Sequence, residues 1–312
     1  MHSKLFERLV SLWDKRNAPD LSKTITNSVL YPKLASRLAN KPFLQLPVFC
    51  CQAAGGDPAL AESISDAWGI LYFAAWLLDS AADGEIPASE IGVSNTLAAA
   101  CISSSSLLLT PGDPSTIQSD IFQAIQKDFQ NVVLIACNGQ INDITHINSS
   151  LNLLWQVARQ KTGEFYSLAS RSGARVATDD HKCIDLYSDF GLHLGMLIQI
   201  GDDTNGLWTN NNQRSDLLSG KWTLPVAYTM EVSSKHEREL LLRYLKSTNT
   251  DPLAEEKARQ IIIESGAMLY LVTKAQWHYE QAKSSLMKAA QPGEALEGLL
   301  GLLDLAIPKR GL

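Results

Sequence analysis

Residues 199–225 read QIGDDTNGLWTNNNQRSDLLSGKWTLP, and the character of the chain changes within them at Asp202. From about residue 187 onward, apolar side chains occupy most of the circumference of a helix, which places that helix in the middle of a bundle. At its end stand two adjacent carboxylates, Asp202 and Asp203, flanked by Ile198, Ile200 and Leu207. Such a pair is costly to bury unless cations or hydrogen-bond donors meet it. A polar run follows, and then Gly220-Lys221 and Thr223-Leu224-Pro225, a glycine turn that re-enters a helix through proline.

The same design occurs once earlier. Residues 63–82 are apolar nearly all round and end in LLDSAAD (77–83), where Asp79 and Asp83 lie four apart and share one helix face. Two oxygen-only clusters without His or Cys suit a hard cation, Mg²⁺ or Mn²⁺, which binds through few carboxylates plus the phosphates of a substrate. Taken singly, each cluster reads equally well as helix-terminal acids on a solvated face. Two lysines shift the balance: Lys161 beside Thr162 in RQKTGEF, and Lys221 in SGKWTLP. Lysine binds phosphate as a point charge.

The rest of the chain sets the frame. Over 312 residues, 45% are hydrophobic and 19% charged, which suffices for a buried core. Apolar residues recur at helical spacing, as in Leu5-Leu9-Leu12 and in Trp68, Leu71, Tyr72, Ala75 and Leu78, and turn signals such as GGDP (55–58) and QPGE (291–294) separate helix-length segments. Strand alternation is nearly absent and no linker interrupts the pattern. These features predict an all-α fold of about ten or more helices in a single domain, 1–312. A net charge of −6 without a basic block argues against a nucleic-acid partner. The N-terminal twenty residues carry charges every few positions, and the apolar run from Trp68 to Leu78 is too short to cross a bilayer, so a cytoplasmic protein without a transmembrane segment is expected. Cys50, Cys51, Cys101, Cys137 and Cys183 show no metal or disulfide spacing and are expected to be buried free thiols.

With these residues in place the chain resembles the trans-isoprenyl diphosphate synthases (polyprenyl synthetases) and the class I terpene synthases that share their helical fold. The likeness runs in order over roughly residues 45–230: AAGGDPAL, LLDSAAD at the first Asp-rich motif, CNGQINDI at G-Q-x-x-D, RQKTGEFYSLASRSGA at the K-T helix, IQIGDDTNG at the second Asp-rich motif, and SDLLSGKWTLPVA at D-L-x-x-G-K-x-T-L-P. The resemblance implies a helical bundle of the isoprenoid synthase type around a central apolar cavity, three Mg²⁺ ions held by Asp79, Asp83 and Asp202 with Asp203 in support, and Lys161 and Lys221 neutralising the departing diphosphate. It further implies a prenyl diphosphate substrate held with help from Thr162, Gln199 and Gln140, aromatic walls from Trp68, Phe73, Trp76 and Phe165, and a homodimer. Ala74 and Ala75 fall where bulky residues close the isoprenoid tunnel in elongating relatives, which points to a deep tunnel and a twenty-carbon substrate unless Trp76 or Tyr72 caps it; the two alanines read almost as well as small core residues that let helices approach.

The departures bear on activity. The second position of the first motif is Ser80, and the last acid of the second motif is replaced by Gly206. Elongating relatives carry a basic loop before AAGGDP and an Arg-Arg-Gly after the first motif. Here ASRLANKPFLQLP offers only Arg37 and Lys41 at the wrong spacing, and GEIPASEIG has no cation. Since a second diphosphate needs several cations, the expected activity is that of a class I terpene synthase acting on one prenyl diphosphate. The alternative is a prenyltransferase that condenses an allylic diphosphate with isopentenyl diphosphate or another acceptor.

Overall fold

The helical spacing of apolar residues is realised along the chain. The computed structural model describes residues 2–27, 42–109, 119–145, 150–208, 215–248, 251 and 253–308. Among the described residues are fifteen α-helices, three short 3-10 helices, one π-helical turn and no strand. The chain divides into two compact units. Unit 1 comprises residues 1–131, 168–187 and 289–302, and unit 2 comprises 132–167, 188–288 and 303–312. The boundaries at 131/132, 167/168 and 187/188 fall within helices.

In unit 1, α1 (His2–Lys15), α2 (Pro19–Asn27), α3 (Leu46–Ala53), α4 (Glu62–Ala82) and α5 (Ile91–Leu108) precede the first part of α6 (Ser119–Thr145). The α4 helix has the near-continuous apolar surface read from its sequence: Ile64, Trp68, Ile70, Leu71, Phe73, Ala74 and Leu77 are buried. Its accessible stripe is Tyr72, Ala75, Trp76 and Asp79, running out to Asp83. Polar side chains link neighbouring helices. Trp13 Nε1 donates to Ser104 Oγ at 2.8 Å, joining α1 to α5, and Ser94 Oγ donates to the Leu77 carbonyl at 3.2 Å, joining α5 to α4.

The segment Ala88–Leu108 is long and apolar enough to cross a membrane by length and composition, a longer run than Trp68–Leu78. Its outward residues are Gly92, Asn95, Thr96, Ala99, Ser103 and Leu107, a face that carries an amide and two hydroxyls.

Unit 2 contains the end of α6, then α7 (Leu151–Ala158), the π-helical turn Arg159–Gly163, the start of α8 (Glu164–Arg175), and α9 (His181–Asn205) from Ser188 onward. After these come the short α10 (Asp216–Ser219), α11 (Leu224–Val232), α12 (Lys235–Ser247), α13 (Ala254–Glu264) and α14 (Ala267–Ala289); α15 (Glu294–Ala306) lies mostly in unit 1. Leu207, Leu217, Val226, Leu241, Ala258 and Ile262 form a core joining the end of α9 to α10–α13, with Trp208 and Trp222 packed on it. This core anchors the end of α9, just past the paired aspartates.

Cys50, Cys51 and Cys101 are buried free thiols as expected, but Cys137 is exposed and Cys183 partly so. Cys137 falls on the outward face of α6, with Leu134 and Ile141, which is why a general rule about buried thiols misplaces it.

Candidate functional site

The unit 2 site begins with two glycines. A Cβ on Gly195 would lie 2.6 Å from the Thr162 carbonyl oxygen, and one on Gly163 would lie 2.9 Å from Leu192 Cδ1. Only bare Cα atoms allow α9 and the 159–163 turn to approach so closely. The approach brings Thr162 Oγ1 to 2.6 Å from Gln199 Oε1. The turn itself is π-helical, a widened geometry frequent at functional positions, and it carries Lys161 and Thr162 between α7 and α8.

Gln199 Nε2 in turn donates to Asp203 Oδ1 at 2.7 Å, and Asp203 Oδ2 accepts from the backbone N–H of Leu224 at 2.9 Å. Leu224 is the first residue of α11. Its N-cap, Thr223, is extended (φ −108°, ψ 167°) and makes no side-chain cap; its hydroxyl is buried without a hydrogen-bond partner among the described residues. The Asp203 carboxylate therefore caps the helix instead. Burial pushes the Asp203 pKa up, opposed by the Leu224 N–H, Gln199 and Lys221. Asp202, one residue earlier, is exposed.

Lys161 Nζ lies 2.6 Å from Asp143 Oδ2, with both side chains mostly buried. Asp143 and Gln140 share a face of α6, and Gly139 lets that helix sit against the turn, since a Cβ there would be 3.0 Å from both Gln160 Cβ and Lys161 Cγ. Gln140 Nε2 is buried and has no hydrogen-bond partner among the described residues, so it remains a donor for a bound anion. Asp143 was not singled out from the sequence, although it stands at the acidic position of G-Q-x-x-D; its pairing with Lys161 depends on a contact between segments that spacing does not reveal. Lys221 follows Gly220 (φ +69°), and its N–H donates to the Asp216 carbonyl at 2.9 Å.

Gly206 stands where the second motif loses its acid. Any Cβ there would lie 1.9 Å from Asp216 Oδ2, so the Asp216 carboxylate fills the space in which a side chain at 206 would begin. The Asp216 N–H also donates to the Gly206 carbonyl at 2.8 Å.

In unit 1, Asp79 is half-buried on the last turn of α4, and Asp83 is its exposed C-cap, with Gly84 at φ +71° ending the helix. Ser80, at the altered motif position, is 3% exposed and donates to Glu85 Oε2 at 3.0 Å, so it serves the turn after the helix. Ala74 is fully buried, whereas Ala75 lies on the accessible stripe one turn before Asp79. Phe73 stacks on Trp76 with centroids 5.9 Å apart, and Trp68 is fully buried. Phe165 belongs to unit 2, buried and edge-on to Tyr166 at 6.2 Å. Arg37 and Lys41 lie outside the described residues.

The donor set suits Mg²⁺. Among the described residues no three His, Cys, Asp or Glu side chains form a closed metal cage. Asp79, Asp83 and Asp202 are oxygen donors at helix ends, with full or partial access to water. Mg²⁺ keeps several waters and takes one or two carboxylates together with phosphate oxygens, so such open positions fit it better than a cage would.

A family model described as Polyprenyl synthetase matches residues 96–262. The chain is 29% identical over 185 residues to a geranylgeranyl diphosphate synthase of Sulfolobus acidocaldarius, covering 55% of each chain. It is 30% identical over 159 residues to a geranylfarnesyl diphosphate synthase of Aeropyrum pernix, covering 49% of each. It thus spans about half the length of these curated relatives. The fold is similar to the crystal structure of a geranylgeranyl pyrophosphate synthetase from Pyrococcus horikoshii, with a TM-score of 0.83 and 19% identity, covering 99% of this chain and 96% of that one.

These relatives are named as synthases of prenyl diphosphates, which overturns the expected assignment to a class I terpene synthase acting on one substrate. That expectation rested on missing cations in two short windows of sequence. Cations meet in space from distant positions, as Arg171 and Arg175 do on Asp128, 43 and 47 residues away. Local spacing is therefore a poor test for a second diphosphate site.

Proposed function

The chain belongs to the polyprenyl synthetase family, and we propose that it is a prenyltransferase joining an allylic prenyl diphosphate to isopentenyl diphosphate or another acceptor. The observation that carries this reading is the arrangement of unit 2. There Lys161 and Lys221 flank a hydrogen-bonded set of Thr162, Gln199 and Asp203, Gln140 offers an unused donor, and Asp202 is exposed beside them. The names of the relatives support the same reaction class.

Polyprenyl synthetases use Mg²⁺. In this chain Asp79, Asp83 and Asp202 would hold it, three ions in all, and bound there it supplies positive charge to the leaving diphosphate. The protein's own part is to place Lys161, Lys221 and Gln140 against the phosphate oxygens, where fixed donors stabilise charge that develops as the allylic carbon–oxygen bond breaks. The allylic carbon then bonds to the acceptor, which loses a proton. Ala75, small and accessible one turn before Asp79, leaves room for a long isoprenoid tail. The chain would work in the cytoplasm as a homodimer, the state that the family resemblance implies.

Incubation with Mg²⁺ and farnesyl or geranylgeranyl diphosphate, with and without isopentenyl diphosphate, tests the proposal. A longer prenyl diphosphate formed only when both substrates are present is the expected result. A hydrocarbon or alcohol from the allylic substrate alone would refute it.

A further inference from the structure

We propose that Asp203 is a positioning residue and not a metal ligand: with Gln199 and Thr162 it forms a one-way hydrogen-bond chain that ties the π-helical turn bearing Lys161 to the start of α11 behind Lys221, and so sets the span between two phosphate-binding lysines. The inference rests on the diphosphate reading above and names the device that would hold that site in shape.

The chain runs in one direction. The backbone N–H of Leu224 can only donate, and it meets Asp203 Oδ2 at 2.9 Å. Asp203 Oδ1 accepts from the Gln199 amide nitrogen at 2.7 Å. That orientation leaves Gln199 Oε1 facing Thr162 Oγ1 at 2.6 Å, and the hydroxyl must donate. The single hydroxyl proton of Thr162 is thereby used within the protein. Toward a diphosphate, which is itself an acceptor, Thr162 has nothing left to give, so its contribution to binding runs through Gln199 instead of through direct contact.

Asp202 and Asp203 divide their labour because successive residues leave a helix about 100° apart. Asp202 faces outward, while both oxygens of Asp203 lie against protein donors. The residue that ordinarily caps a helix start has also ceded its place, since the Thr223 hydroxyl is buried and caps nothing. The start of α11 is therefore anchored to α9, and Lys221, three residues upstream, takes its position from that anchor.

The test is a double-mutant cycle on affinity for inorganic pyrophosphate with Mg²⁺, read by calorimetry on the full chain. In Asp203→Asn the side-chain oxygen must still face the Leu224 N–H, so its NH₂ faces Gln199. Gln199 then flips and presents nitrogen to Thr162, which becomes an acceptor. That reversed chain keeps all its bonds, so Asp203→Asn should bind within a few-fold of wild type, whereas Asp203→Ala and Thr162→Val, which break the chain at either end, should each weaken binding about tenfold. The double variant should lose much less than the product of the two, and Thr162→Ser should bind like wild type.

Additive losses in the Asp203→Ala/Thr162→Val cycle, or wild-type affinity in Thr162→Val, would overturn the chain; the second outcome does not depend on whether Asp203→Ala folds. A count of Mn²⁺ bound with pyrophosphate, by electron paramagnetic resonance, should be the same in Asp203→Asn as in wild type, and loss of one ion would make Asp203 a ligand and overturn the positioning role. Wild-type protein that fails to bind pyrophosphate would instead overturn the diphosphate reading itself.

Discussion

The Asp216 carboxylate lies over the bare Cα of Gly206, with Oδ2 only 1.9 Å from where a Cβ would stand. Restoring the acid that the motif lacks, by Gly206→Asp, should therefore fail as a gain of function. We expect a loss of about 1–3 kcal/mol in unfolding free energy, the usual penalty for overpacking, with Gly206→Ala behaving similarly in urea titrations. Removing the obstruction in Gly206→Asp/Asp216→Gly should recover part of that loss. A Gly206→Ala protein as stable as wild type would show that Asp216 moves aside at no cost.

Two helix caps should respond in opposite ways. The hydroxyl of Thr223 has no hydrogen-bond partner among the described residues, so Thr223→Val should leave the stability of the unliganded protein unchanged or slightly raised. Asp203→Ala removes the group that caps α11 and should cost about 1–2 kcal/mol. Chemical denaturation of both variants checks the pair, and a destabilised Thr223→Val would show that the hydroxyl is used after all.

How much of this was legible beforehand differs by feature. The apolar helices 62–82 and 181–205, each ending in acids, follow directly from side-chain periodicity. The π-helical turn does not, because one widened turn leaves the apolar spacing on either side intact. The Lys161–Asp143 pair and the Gly206–Asp216 contact both join segments that the chain brings together only on folding. The activity was misjudged for a related reason, since two local windows were made to stand for a three-dimensional site.

A histidine pair in unit 2 predicts acid sensitivity. His193 Nδ1 and His278 Nδ1 are 2.8 Å apart, so one donates and the other accepts, and the accepting ring is neutral. Burial, with smaller contributions from His193 and Lys274, lowers the His278 pKa to about 3; burial also lowers that of His193, with Asp189 opposing the shift and Arg159 adding to it. A folded pKa below the ordinary value of 6.5 means that protonation favours the unfolded chain. The stabilising contribution is complete above about pH 6.5 and is lost as pH falls from there toward 3. Urea midpoints measured from pH 7.5 down to 4.5 should decline, and His278→Leu should flatten the slope; an unchanged slope would remove the pair as its cause.

Asp79→Ala should reduce diphosphate release by at least about hundredfold, the scale seen when a group stabilising developing charge is removed. Coupled pyrophosphate detection with both prenyl substrates present measures it. Near-normal turnover would rule Asp79 out as a metal-binding residue.

The wide turn at Arg159–Gly163 separates two design problems that a regular helix would couple. In an unbroken α-helix, rotating one side chain to a new bearing rotates its whole face, and every packed neighbour downstream with it. With a spare residue absorbed in one loop of the spiral, the bearing of Lys161 and the buried surface of α8 are free to change independently. Deleting one residue there would turn the lysine by roughly a quarter-circle relative to α8.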